Sequence, residues 1–258
     1  MPFVVVDGLR TFYESRGRGH SILFVHGSAG NHSMWSHQLD YFGERYHVIA
    51  IDLMGHGKSE IAIHPSSITV ELYSDFIKSF LAAVNIEKAT LVGQSLGGAV
   101  CINFCLLSPE KVQCLGLINT GAKLGVNSTL LSMMRKNFRE VLRMGFENTL
   151  GQRHENAEKR NISWVLNEML TTDPAIGLAD FEACNKFDSR QQLSQINKPT
   201  LIIGGSKDML TPPWFQQYLH ENIEFSILRI IEDAGHFSMT EKPKEFNVTL
   251  SKFLKRHL

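Results

Sequence analysis

Apolar residues recur along this chain in two alternating rhythms. Short unbroken runs read as strands covered on both faces: SILFVHG (21–27), HVIAID (47–52), ATLVG (89–93), VQCLGLINTG (112–121), PTLIIGG (199–205) and EFSILRII (224–231). Between them the apolar positions take helical spacing. Leu72, Phe76, Phe80 and Leu81 predict an amphipathic helix over 69–84, and Trp35, Leu39 and Phe42 predict one or two turns within 33–42. Residues 96–108 read as a further helix, and 241–258 as a closing helix whose basic end complements the helix dipole. The first residues read as two short strands joined at Asp7-Gly8, a hairpin-type pair.

Strands alternating with helices predict an α/β fold with a mostly parallel central sheet and helices on both faces. The alternation lapses between about 122 and 196, where 130–146 and 161–170 carry helical patterns and no strand signal. A structureless loop of that length does not suit a compact domain. The expected organisation is a core from 1–121 and 197–258, with 122–196 a helical cap over the carboxyl ends of the strands. In such sheets ligands bind at those ends.

Composition narrows the partners. The 258 residues carry 26 basic and 26 acidic side chains, a balance that argues against nucleic acid or an anionic membrane and for a small or neutral ligand. No apolar run reaches the length of a membrane span. The first residues lack the basic, apolar and cleavage regions of a signal peptide, so a cytoplasmic location is expected. The glycosylation-type matches at Asn31, Asn127, Asn161 and Asn247 then carry no weight. Cys101, Cys105, Cys114 and Cys184 show no C-x-x-C spacing and read as small buried hydrophobes.

The candidate chemistry centres on Gly93-Gln94-Ser95-Leu96-Gly97, a G-x-S-x-G pattern. Alone it would arise by chance in roughly one chain in ten of this length. Its place after a strand and before a helix is what a nucleophile elbow requires. A serine also needs a base. His236 follows the last strand of the sheet, beside the permissive Gly235. The base in turn needs an acid. Asp208 lies just beyond the preceding strand, whereas Asp233 is close enough to His236 to bond local backbone instead. Asn119, at the end of an earlier strand, offers no carboxylate. The amide of Leu96 and that of Ser28, in the glycine-bearing loop 26–30, are the candidate oxyanion donors.

Together FVHGSAG, IDLMGHGKS, LVGQSLGG, GSKDMLTPP and DAGHF resemble the α/β-hydrolase superfamily, in particular its capped esterase and haloperoxidase-like group. The resemblance covers essentially the whole chain. It implies Ser95 as nucleophile, His236 as general acid–base, Asp208 as its orienter, and Ser28 and Leu96 as the oxyanion hole, with no metal or organic cofactor. Asp52, Gly55, His56, Gly57 and Ser59 match a structural loop of the family. Ser28 stands where many members carry a bulky apolar residue, which bears on the shape of the acyl pocket.

The expected function is a serine hydrolase that cleaves a small or medium carboxylic ester through an acyl-enzyme. Met133, Met134, Phe138, Met144, Trp164 and Met169 make the cap apolar. Met133 and Phe138, with Met209 and Phe237 beside the acid and base, are the expected substrate contacts. Two other readings stay open. One is hydrolysis of a carbon–carbon bond in a β-diketone-like or ring-fission product; the other is a receptor of the same fold that binds without turnover. Dehalogenation and epoxide opening are disfavoured, since those relatives place an aspartate where Ser95 stands.

Overall fold

The computed structural model describes residues 3–149 and 156–258; residues 150–155, inside the expected cap, lie outside the described residues. The chain opens with the antiparallel hairpin β1 (Phe3–Val6) and β2 (Leu9–Arg16), turning on Asp7 and Gly8, both with positive φ. It continues through β3 (Ser21–Val25), β4 (His47–Ile51), β5 (Ala89–Gln94), β6 (Val112–Ile118), β7 (Thr200–Gly205) and β8 (Ser226–Ile231). These form one eight-stranded sheet in the order β1-β2-β4-β3-β5-β6-β7-β8. From β4 to β8 every pairing in that order is parallel; only the hairpin and its β2–β4 seam are antiparallel.

The buried runs split between two cores because side chains alternate along a strand. Leu23 and Val25 of β3 join one core, with Tyr73, Phe76 and Phe80 of α2 (Val70–Ala83) and the apolar side of α3 (Leu96–Leu107). Ile22 and Phe24 join the other, with Trp35, Leu39 and Phe42 from α1 (Ser36–Phe42) and the turn before it. Phe246, Leu250 and Leu254 complete that second layer. Thr69 caps α2, its hydroxyl accepting from the Leu72 amide at 3.1 Å.

Between β6 and β7 the chain inserts α4 (Ser128–Thr149), α5 (Asn156–Met169) and α6 (Pro174–Lys186). The pattern 130–146 suggests one uninterrupted helix, but Asn137 breaks α4 with φ −153° and ψ 82°. Its side chain reaches both the amide and the carboxylate of Glu140, as an N-cap residue does. After β7 come α7 (Pro213–Asn222), then, after β8, α8 (Ser238–Glu241) and α9 (Pro243–His257). All four cysteines are buried and free. Among the described residues no helix is long and apolar enough to cross a membrane.

Candidate active site

Ser95 sits where β5 gives way to α3, with φ 54° and ψ −117°, a left-handed conformation costly for a residue with a Cβ. Two residues to either side of it only glycine fits. A Cβ on Gly93 would lie 2.1 Å from the Gly97 carbonyl oxygen, and one on Gly97 2.3 Å from the Val25 carbonyl oxygen. The turn is pinned by the Ser95 amide donating to the Ile118 carbonyl at 3.0 Å and by Thr120 donating to the Ser95 carbonyl at 2.7 Å. Leu96 is the first residue of α3, so its amide has no acceptor within the helix and joins the partial positive charge of the helix start.

His236 lies in the loop after β8 and is 3% exposed. Its Nδ1 donates to Asp208 Oδ2 at 2.9 Å and approaches Oδ1 at 3.1 Å. Asp208 is heavily engaged. Oδ1 accepts from the amides of Leu210 and Thr211, both at 2.9 Å, and Oδ2 from the Thr211 hydroxyl at 2.7 Å. Burial alone would raise this carboxyl, but the charge and hydrogen bond of His236 and the Thr211 donors outweigh it and hold it below its ordinary value. Asp233, the rival acid, is exposed with φ 54°, and its amide donates to Ser206 Oγ at 2.9 Å. Ser95 and His236 face one cavity; among the described residues no hydrogen bond joins them.

Several partners carry no signature in the sequence. Asn119, set aside for want of a carboxylate, donates Nδ2 to Asp208 Oδ2 at 2.8 Å and to the Gly235 carbonyl at 3.1 Å. Glu241 accepts from the amides of Gly235 and Phe237, at 2.8 and 2.9 Å, clamping the backbone on both sides of His236. Gln94, beside the serine, donates to the His236 carbonyl at 3.1 Å. A buried amide or carboxylate near the end of a strand is the general signal for such supports, but their partners lie far off along the chain.

The cavity over Ser95 measures about 280 Å³. Ser28, Gln94, Thr211 and His236 supply polar wall, while Met134, Leu142, Phe146 and Met169 of the insertion and Phe215 of α7 supply apolar wall. Of the expected substrate contacts, Met209 lines the mouth, 70% exposed, and Phe237 lines the interior with its ring 5.5 Å from that of His236. Met133 and Phe138 do not line it. Met133 points to solvent, 44% exposed, because its neighbour Met134 occupies the inward face of α4. Phe138 is buried behind the wall, against Gly177 and Phe181 of α6. Met144 is also exposed.

His56 does not line this cavity. It is fully buried and donates Nε2–H to Asp180 Oδ2 at 2.8 Å. His26 packs beside it, its Nε2 accepting the Leu53 amide; burial and the neighbouring His56 push it down to about 4. Among the described residues no group of three or more His, Cys, Asp or Glu could hold a metal ion.

A parallel sheet carrying a strained serine at the head of a helix, with a His–Asp pair at the ends of later strands, defines the α/β proteins with a nucleophile-type elbow. A family profile described as the alpha/beta hydrolase fold matches residues 20–243, and the chain belongs to that family. It is 32% identical to 3-oxoadipate enol-lactonase 2 of Acinetobacter baylyi, over 92% of this chain and 89% of that one. Among solved structures, Est816, described as an N-acyl homoserine lactone degrading enzyme, superposes with TM-score 0.86 at 28% identity, covering 98% of this chain and all of that one. A thermophilic esterase superposes with TM-score 0.82 at 32% identity, covering 98% and 96%.

Proposed function

We propose that this α/β-hydrolase is a serine hydrolase of uncharged carboxylic esters, including lactones. The observation that carries the reading is the strained Ser95 facing the same cavity as His236, whose far nitrogen is held by a buried Asp208. Ser95 Oγ attacks the ester carbonyl as His236 Nε2 takes its proton. The oxygen's charge settles on the amides of Ser28 and Leu96. Collapse expels the alkoxide, which takes the proton back from His236. Water, deprotonated by the same imidazole, then cleaves the acyl-enzyme and frees the acid. Asp208 keeps Nδ1 protonated, so that Nε2 is the basic nitrogen, and stabilises the imidazolium.

The apolar walls from the insertion favour a hydrocarbon acyl group. Lactones enter the class because the relatives described above include a lactone-degrading enzyme and an enol-lactonase; in a lactone the leaving alkoxide stays tethered to the acyl group. The test is burst and turnover on p-nitrophenyl esters of increasing acyl length, with Ser95→Ala alongside. Steady release that vanishes in the variant is expected. Turnover that survives it would overturn the assignment.

A further inference from the structure

Ala29 holds a conformation that its side chain resists. With φ +55° it is the third residue of a tight turn, closed by the Gly30 amide donating to the Gly27 carbonyl at 3.0 Å. Positive φ at that position belongs to type II turns and selects glycine. An L-residue there costs on the order of 1–2 kcal/mol, and such strain persists only where neighbours over-determine it.

The neighbours come from the insertion. Asp180 of α6 accepts the Ala29 amide on Oδ2 at 2.8 Å, and Thr172, just ahead of α6, donates its hydroxyl to the Ala29 carbonyl at 2.9 Å. Both peptide planes flanking Ala29 are thus gripped. Asp180 is fully buried; Oδ2 also accepts from His56 Nε2 at 2.8 Å, and Oδ1 accepts from the Tyr73 hydroxyl at 2.7 Å. His56 donates its other ring nitrogen to the Met54 carbonyl at 3.1 Å, so both nitrogens act as donors, as in an imidazolium. Burial opposes that charge, but Asp180 outweighs it and raises the His56 value. The result is a buried ion pair spanning insertion and core, whose shared oxygen, Asp180 Oδ2, also holds the Ala29 amide.

The turn matters because Ser28 is its second residue. The Gly27 carbonyl is engaged by the Gly30 amide and by His26 Nδ1 at 2.8 Å. In a trans peptide the Ser28 N–H points away from that carbonyl, and Ser28 lines the cavity. We infer that Asp180, assisted by Thr172, is a positioning residue for the oxyanion hole, holding the Ser28–Ala29 turn in its strained form from the insertion. The inference rests on the functional reading above, in which the Ser28 amide receives the developing oxyanion. A donor swung out of line costs stabilisation of the transition state while leaving the ground-state complex nearly untouched.

The test compares Asp180→Asn, Thr172→Val, Ala29→Gly and the Asp180→Asn/Ala29→Gly pair in the full chain. Two readouts are taken: kcat and KM on p-nitrophenyl butyrate, and affinity for phenylboronic acid. The boronic acid adds Ser95 Oγ to boron, the serine proton passing to His236 and no group leaving, and so presents an oxygen to the hole. Asp180→Asn is expected to lower kcat by about tenfold or more, with KM within about twofold and boronate affinity falling in parallel. Glycine at 29 adopts the turn without help, so the pair should recover most of kcat while the melting temperature stays low. Thr172→Val leaves the His56–Asp180 ion pair in place and should lower kcat in the same sense at near-native melting temperature. It carries the test alone if Asp180→Asn does not fold. Unchanged kcat in folded variants, or a loss that glycine at 29 does not rescue, would overturn the inference. A wild-type protein that neither turns over the ester nor binds the boronic acid would overturn the functional reading, and the inference with it.

Discussion

Asp208 shows how single residues divide the work at this site. Six hydrogen-bond contacts, from His236 Nδ1 to both oxygens and from Leu210, Thr211 and Asn119, fix its plane and keep it ionised. In Asp208→Asn the amide nitrogen would face donors at Asn119 and His236, favouring the wrong histidine tautomer. The expected loss in kcat is about 10³–10⁴-fold, with the folded state retained by circular dichroism; a near-native rate would hand the role to another carboxylate. The buried histidines predict pH dependence of opposite signs. Below 6.5 the unfolded chain takes up a proton that His26 refuses until about 4, so stability falls across that window, by about 3 kcal/mol in total. The depressed Asp208 adds to the acid side, since its contribution is present above the free carboxyl value and lost as pH falls through its own. His56 acts on the alkaline side: its contribution is complete below 6.5 and lost as pH rises through its raised value. Urea midpoints measured across this range check both limbs, and the acid limb should flatten in His26→Gln. Ser95, His236 and Asp208 were legible because each sits in local turn chemistry at a strand end. Asn119, Asp180 and Glu241 were not, because an amide or carboxylate in the sequence does not name partners that only the packed sheet brings near.

At the scale of elements, the sheet and its flanking helices follow from local pattern. Unbroken apolar runs gave strands buried on two faces except β8, which lies at the sheet edge and is buried only at Ile231, and the run of small residues after Ser95 let α3 approach them. That approach predicts intolerance. Gly97→Ala would set a Cβ 2.3 Å from the Val25 carbonyl, a backbone atom with little room to yield. The expected cost is about 3 kcal/mol, read as a lowered urea midpoint; an unchanged midpoint would mean that α3 does not dock as described. The inserted helices were less legible. A helical pattern does not reveal that Asn137 breaks α4 or which of two adjacent methionines faces inward, so choosing between Met133 and Met134 needed the helix phase that only packing sets. Phe138 was read as substrate contact because it is apolar and in the insertion; it proved to seal α4 against Gly177. The helix α7, opening on Pro213, was masked by the turn signal of two consecutive prolines.

Over the whole molecule, the insertion and the sheet form one device around the serine. The insertion supplies the apolar wall above Ser95 and, through Asp180, a buried anchor into the core. A cavity of about 280 Å³ sits at the lower edge of the roughly 300–1,000 Å³ span of pockets that enclose drug-sized ligands. Esters of short to medium acyl length should therefore give the highest kcat/KM, with a decline for long chains. Widening the wall by Phe146→Ala should move the optimum to longer chains. An optimum unmoved by that change would place the acyl group elsewhere.

The most direct test of covalent catalysis by Ser95 is the mass of the protein quenched in acid during turnover of p-nitrophenyl butyrate. One butanoyl group is expected, carried on the peptide that contains Ser95 and absent from Ser95→Ala. Sustained turnover with no adduct, or with the adduct on another residue, would contradict the mechanism at its first step.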